Sequence, residues 1–213
     1  MPKHVLPEQT GNSCAAHCTV IAVAELLGTT YCLTKDYAET SWWPQVQFKG
    51  GEGPLSEHLK SKQNSDPRRM VEDMKVRWGG LGAAILCCDT DKTRALTHVG
   101  DPAERGGLEA MFNMIKDYNK GQGKGTVASI ALEDGVYYNA SYLMLAGATA
   151  KGGRYTGMHN MLIVSDKGTI WHYNSNETTP AWQKVTDWKV LDSQNGGTTS
   201  YVFTGVCIEM RRR

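Results

Sequence analysis

Gln9-Thr10-Gly11-Asn12-Ser13-Cys14-Ala15-Ala16-His17-Cys18 marks the point where a polar, glycine-containing turn runs directly into an apolar helical stretch. Beyond Cys14, the residues Ala15, Cys18, Ala22 and Leu26 recur at helical spacing, with Val23 and Leu27 beside them and Gly28 as a natural stop. The stretch is apolar nearly all round, which predicts a buried central helix over residues 14 to about 28. Cys14 then occupies its first turn. Unbonded N–H groups and the positive end of the helix dipole favour a thiolate there, and the thiolate is the reactive form of cysteine. Gln9, five positions upstream, is placed to fold its amide back over the same turn. A nucleophile beside an amide donor is half of an acyl-transfer site.

Outward from this segment, the first half of the chain reads as helical. Residues 29 to 65 read as irregular, punctuated by Trp42-Trp43-Pro44 and Gly50-Gly51-Glu52-Gly53-Pro54. Asp66-Pro67 and Asp101-Pro102 each look like an N-cap followed by a first-turn proline. The first opens a helix to about Trp78. The second opens one carrying Leu108, Met111, Phe112, Ile115 and Tyr118 to Gly121. Ala83 to Cys88 reads as a short buried strand between them.

The period then changes. Val127 to Leu132, His159 to Val164, Thr169 to Tyr173 and Tyr201 to Met210 read as strands, with 146 to 157 a mobile loop before His159. Helices followed by a mostly antiparallel sheet make an α+β fold, read as one domain over 1–213 with a helical lobe to about 121 and a sheet lobe from about 122.

A cysteine nucleophile needs a base, and the base needs an orienting group. Of six histidines, His4 and His58 sit in polar or terminal stretches, and His98 in a loop context. His17 shares the Cys14 helix but points into its packing. His159 and His172 remain, both within strands, and His159 has the best surroundings, at the start of an apolar run. Centring the following turn on Asp166-Lys167 puts Asn174 directly across from it, where Cβ atoms lie ~4.5–5.5 Å apart. Asn176 is the fallback on the same face, and Asp187 also competes. Cys14 lies 145 positions before His159, within the ~130–150 of papain-type enzymes.

Gln9, Cys14, His159 and Asn174 resemble, in order and spacing, the site of the papain-like cysteine peptidase superfamily. There a glutamine or asparagine precedes the cysteine, the cysteine opens a central helix, and the histidine begins a strand whose neighbour carries an Asn or Asp. The Gly11-Asn12-Ser13-Cys14 turn also resembles the cysteine box of ubiquitin-specific proteases. The Cys-Gly-Ser-Cys-Trp box of papain and the cathepsins does not occur. The resemblance implies a papain-like fold and a cysteine-dependent hydrolase of amide bonds, acting on proteins or peptides without metal or organic cofactor. Two other readings keep the same scaffold. One is a peptidoglycan amidase or endopeptidase acting as a delivered toxin or effector, with an inhibitor or immunity partner; transglutaminase-like transfer and deamidation use the same triad. The other is a non-catalytic binding module.

Composition narrows the rest. The 213 residues carry a formal net charge of +1, which gives no electrostatic reason to expect nucleic acid or an anionic membrane surface. No apolar run approaches the ~20 residues that cross a bilayer. Met1-Pro2-Lys3-His4-Val5 lacks the hydrophobic core of a signal peptide. Cytoplasmic synthesis is therefore expected, with any export left to a specialised secretion system. The six cysteines are irregularly spaced and suggest no disulfide framework. Cys14, His17 and Cys18 are too close along one helix to converge on a metal ion. The glycine-rich stretches lack the lysine of a phosphate loop.

Overall fold

The computed structural model describes residues 1–99, 101–133, 140–150, 155–192 and 199–213. Helix α1, Cys14–Leu27, is buried from Cys14 to Leu26, as its nearly continuous apolar sequence requires. It ends on Gly28, whose φ of 68° is the left-handed C-cap conformation that glycine adopts without strain. A π-helical turn at Tyr37–Trp42 follows, then α2 (Trp43–Val46), α3 (Pro54–Ser61) and α4 (Pro67–Arg77). Strand β1 is Leu81–Cys87. Helices α5 (Asp89–His98) and α6 (Pro102–Gly121) precede β2 (Ala140–Ala150), β3 (Tyr155–Asp166), β4 (Thr169–Tyr173), β5 (Trp182–Val185), β6 (Val190–Asp192) and β7 (Thr199–Arg212). The two proline helices begin as read, because Asp66 and Asp101 each accept first-turn N–H groups.

The seven strands form one antiparallel sheet in the order β1-β7-β2-β3-β4-β5, with β6 pairing β7. The fold is therefore α+β. Strand β1 comes from the helical half of the chain yet pairs with β7, which ties the two halves into one sheet. Helix α1 packs against β3, its side chains joining Leu143, Leu145 and Leu162 in the larger core cluster. Tyr142, Met144, Met161, Ile163 and Phe203 point the other way into a second cluster. The adjacent Cys87 and Cys88 fall in different clusters, as alternation along an extended chain demands. No helix among the described residues is long and apolar enough to cross a membrane.

Several expectations need correction. Residues 29–65 are not irregular throughout: they hold the π-helical turn, α2 and α3. Their helices are short, so no long apolar period announces them. His98 closes α5 rather than lying in a loop. Val127–Leu132 is not a strand. Val127 makes one bridge, its N–H donating to the Cys87 carbonyl, while Ile130 buries its side chain in the second cluster. That run is apolar because it covers the sheet, not because it belongs to it. Within 146–157, residues 146–150 and 155–157 belong to β2 and β3 instead of a loop, and 151–154 lie outside the described residues. Small residues do not forbid a strand whose backbone is paired on both sides, and β2 lies between β3 and β7.

The β3–β4 register also differs. Asp166 pairs with Thr169 and Leu162 with Tyr173, so the turn is Lys167-Gly168. Both turn residues have positive φ (52° and 72°), the twist that tight hairpins prefer. Continued outward, this register sets Asn176, not Asn174, across from His159. The shift is by two residues, so the face is unchanged.

Candidate active site

The geometry begins with what β3 leaves open. Strand β2 pairs with β3 along His159, Ala146 lying opposite it, but β4 pairs only from Leu162 to Asp166. The edge beside His159 is therefore left to the segment that follows β4. There the Asn174 Oδ1 accepts a 2.6 Å hydrogen bond from His159 Nε2. Asn174 is held from two sides: its Oδ1 also accepts the Asn176 N–H at 3.0 Å, and its Nδ2 donates to the buried Glu177 carboxylate at 3.0 Å. This pattern fixes the amide orientation, so Nε2 carries the hydrogen and Nδ1 is left for the thiol. The contact forms despite the shifted register because Asn174 has left the strand and its turn brings the amide back toward His159.

Cys14 meets the ring from the start of α1, within hydrogen-bonding reach of His159. Asn160 adds two donors to the sulfur, its backbone N–H at 3.4 Å and its side-chain Nδ2 at 3.7 Å. Burial opposes ionisation of the Cys14 thiol, which is only 6% exposed. The His159 charge, its hydrogen bond and the Asn160 donors together outweigh that penalty and hold the thiol below its ordinary value. Burial likewise disfavours a charged His159. The facing thiolate, the hydrogen bonds to Cys14 and Asn174 and the nearby Glu177 outweigh it, and the ring's pKa is raised. The pair is thus biased toward thiolate and imidazolium, and its protons belong to both groups together. Tyr201 packs on the imidazole, ring centroids 5.1 Å apart.

Gln9 is tied to the same segment as Asn174. Its N–H donates to the Ser175 carbonyl at 2.9 Å, and its Oε1 accepts from Ser175 Oγ at 2.6 Å. Its Nε2 donates one hydrogen to Gly11 O at 2.8 Å. Gln9, Cys14, His159 and Asn160 line one pit of about 40 Å³.

Glu39, on the π-helical turn, fixes the loop between Gln9 and Cys14. Its Oε1 accepts from the Thr10 N–H at 2.6 Å, His17 Nε2 at 2.9 Å and Ser13 Oγ at 3.2 Å. His17 is fully buried on this carboxylate; burial lowers its pKa and Glu39 only partly offsets that. It is a packed neutral ring turned to Glu39.

The structure thus brings together all four residues singled out in the sequence. Asn176 contributes its N–H rather than its side chain, and Asp187 caps its own turn by accepting from Lys189 N. Sequence reasoning missed Asn160, Ser175, Glu177 and Glu39. Asn160 and Ser175 were open to it as the polar neighbours of His159 and Asn174. Glu39 gave no signal, standing in a stretch with no legible period. Among the described residues no three His, Cys, Asp or Glu side chains converge as metal ligands, and all six cysteines are buried free thiols. No protein-family model matches the sequence, and no curated protein shows similarity to it.

Proposed function

We propose that the protein is a cysteine-dependent hydrolase of amide bonds, a peptidase of papain-like type. The observation that carries the reading is the position of His159, between the Cys14 sulfur and the oriented Asn174 amide oxygen. In this reading Cys14 thiolate attacks a carbonyl carbon. The developing oxyanion is held by the Cys14 N–H and the second Nε2 hydrogen of Gln9. His159 imidazolium gives its Nδ1 proton to the leaving amine, which departs and leaves a thioester. The neutral ring then takes a proton from water as the water attacks the thioester, and the acid leaves with the thiolate restored. Asn174 keeps Nε2–H engaged, so that Nδ1 faces the sulfur throughout. No step needs a metal or organic cofactor.

Incubating wild type and Cys14→Ala in parallel with a protein mixture and with purified peptidoglycan tests this. New amino termini in the protein mixture, made by wild type alone, are the expected result. Release of muropeptides alone would move the substrate to the cell wall. Equal products from both proteins would end the hydrolase reading.

A further inference from the structure

Helix α6 contains an anomaly. Gly106 and Gly107 are adjacent inside a 20-residue helix, where each glycine costs ~1 kcal/mol relative to alanine. Packing does not require either one, since a Cβ built at each position meets nothing within 4 Å. Gly107 instead borders a groove of about 630 Å³ between α3 and α6, a size in the ~300–1,000 Å³ range of ligand sites. Gly157 of β3 borders it too, again without a side chain. Leu59 and Leu108, both almost fully buried, form its floor, flanked by the half-buried Leu55 and Met158. The groove runs into the Cys14 pit, because Asn12, Leu59, Asn64 and Met158 line both.

Resting on the hydrolase reading above, we infer that this groove takes the part of a peptide substrate that flanks the scissile bond, and that it selects a bulky aliphatic side chain. The glycine at 107 keeps the α6 wall back, and the leucine floor removes the apolar side chain from water. Asn12 and Asn64, at the junction with the pit, offer amides to an extended backbone. A glycan strand is the competing occupant: Asn12, His58, Lys62, Asn64 and Glu104 line the groove and can meet hydroxyls, but a glycan brings no aliphatic side chain to cover the leucine floor.

Thiol-directed probes separate this inference from the reading beneath it. The probes are iodoacetyl tripeptide amides and tripeptidyl chloromethyl ketones, in which one residue near the electrophile is Gly, Leu or Asp. Iodoacetamide and an iodoacetylated amino sugar are the references. In wild type, leucine probes of at least one series should alkylate Cys14 at least ~tenfold faster than their glycine counterparts, the discrimination an apolar pocket gives. Gly107→Leu, which raises helix propensity and fills the groove, should cut that preference below ~twofold. Gly106→Leu, one position away and outside the groove lining, should keep it. All three proteins should react equally with iodoacetamide. If Gly107→Leu lowers the melting temperature, Gly107→Ala replaces it, with a partial loss of preference expected. Equal rates for Leu and Gly probes in wild type would overturn the inference alone. So would a preference that survives Gly107→Leu, or the amino sugar outrunning every peptide. Loss of iodoacetamide selectivity for Cys14 would overturn the hydrolase reading and the inference with it.

Discussion

Cys14 and Cys18 sit one turn apart on the same buried helix, yet their thiols are driven in opposite directions. Cys14 is held below the ordinary thiol value, whereas burial pushes Cys18 far above it, with the neighbouring Cys14 charge adding to the shift. The backbone of a single residue displays the difference. The Asn160 N–H donates to the Cys14 sulfur at 3.4 Å, and the Asn160 carbonyl accepts from the Cys18 thiol at 3.6 Å. A donor favours the thiolate and an acceptor favours the thiol. Burial is therefore not what makes a cysteine reactive here; it acts against ionisation at both positions. What decides is whether a cation and donors face the sulfur. Cys87 makes the same point without a helix start: desolvated and near Asp89, it is pushed up to about 12.

The largest expected effects break this comparison outright. Cys14→Ala should lower hydrolysis by ~10⁴-fold or more, and adding His159→Ala should cost little further, because the two act as one unit. In wild type, iodoacetamide at mildly acidic pH should label Cys14 well ahead of the other five cysteines, read by mass spectrometry of peptides. Comparable labelling of Cys18 would remove the distinction.

Asn174→Ala comes next. Without its acceptor the ring loses its fixed orientation, and turnover should fall about 10²-fold with the melting temperature nearly unchanged. The pH profile gives the sign. Wild-type activity should be bell-shaped. It should fall in acid as the Cys14–His159 pair takes up a proton below the lowered thiol value, and in alkali as the ring loses its proton above the raised imidazole value. Asn174 helps to raise the His159 value, so its loss should bring the alkaline limb to lower pH. An alkaline limb that stays in place while turnover falls would mean that Asn174 acts elsewhere.

The smallest effect belongs to Asn160→Ala. It removes the 3.7 Å side-chain donor and leaves the backbone N–H. Long hydrogen bonds are weak, so alkylation of Cys14 in acid should slow only a few-fold. A loss as large as that of His159→Ala would make the asparagine, not the histidine, the main stabiliser of the thiolate.

Local signals explain what the sequence revealed. The Cys14 helix was legible because its apolar run, helix start and Gly28 stop agree with one another. The Asp66-Pro67 and Asp101-Pro102 starts were legible because cap and proline act within four residues. His159 and Asn174 were found with a wrong pairing register: an error of two residues keeps the face, and the turn after Tyr173 brought the Asn174 amide to the ring. Strand β2 was invisible because residues such as Ala146, Gly147 and Ala148 carry little strand preference; partners far along the chain on both sides make it a strand. Glu39 illustrates the other limit. Its role lies in contacts to Thr10, Ser13 and His17, more than twenty residues away, and no local pattern encodes them.

The most direct measurement is a pH titration of the Cys14 thiolate in wild type and His159→Ala, followed by thiolate absorbance against Cys14→Ser as the blank. The wild-type midpoint should lie below the ordinary thiol range. In His159→Ala burial is no longer outweighed, so the midpoint should move above that range, toward the behaviour of Cys18. Midpoints that coincide in the two proteins, or a wild-type midpoint at or above the ordinary range, would contradict this.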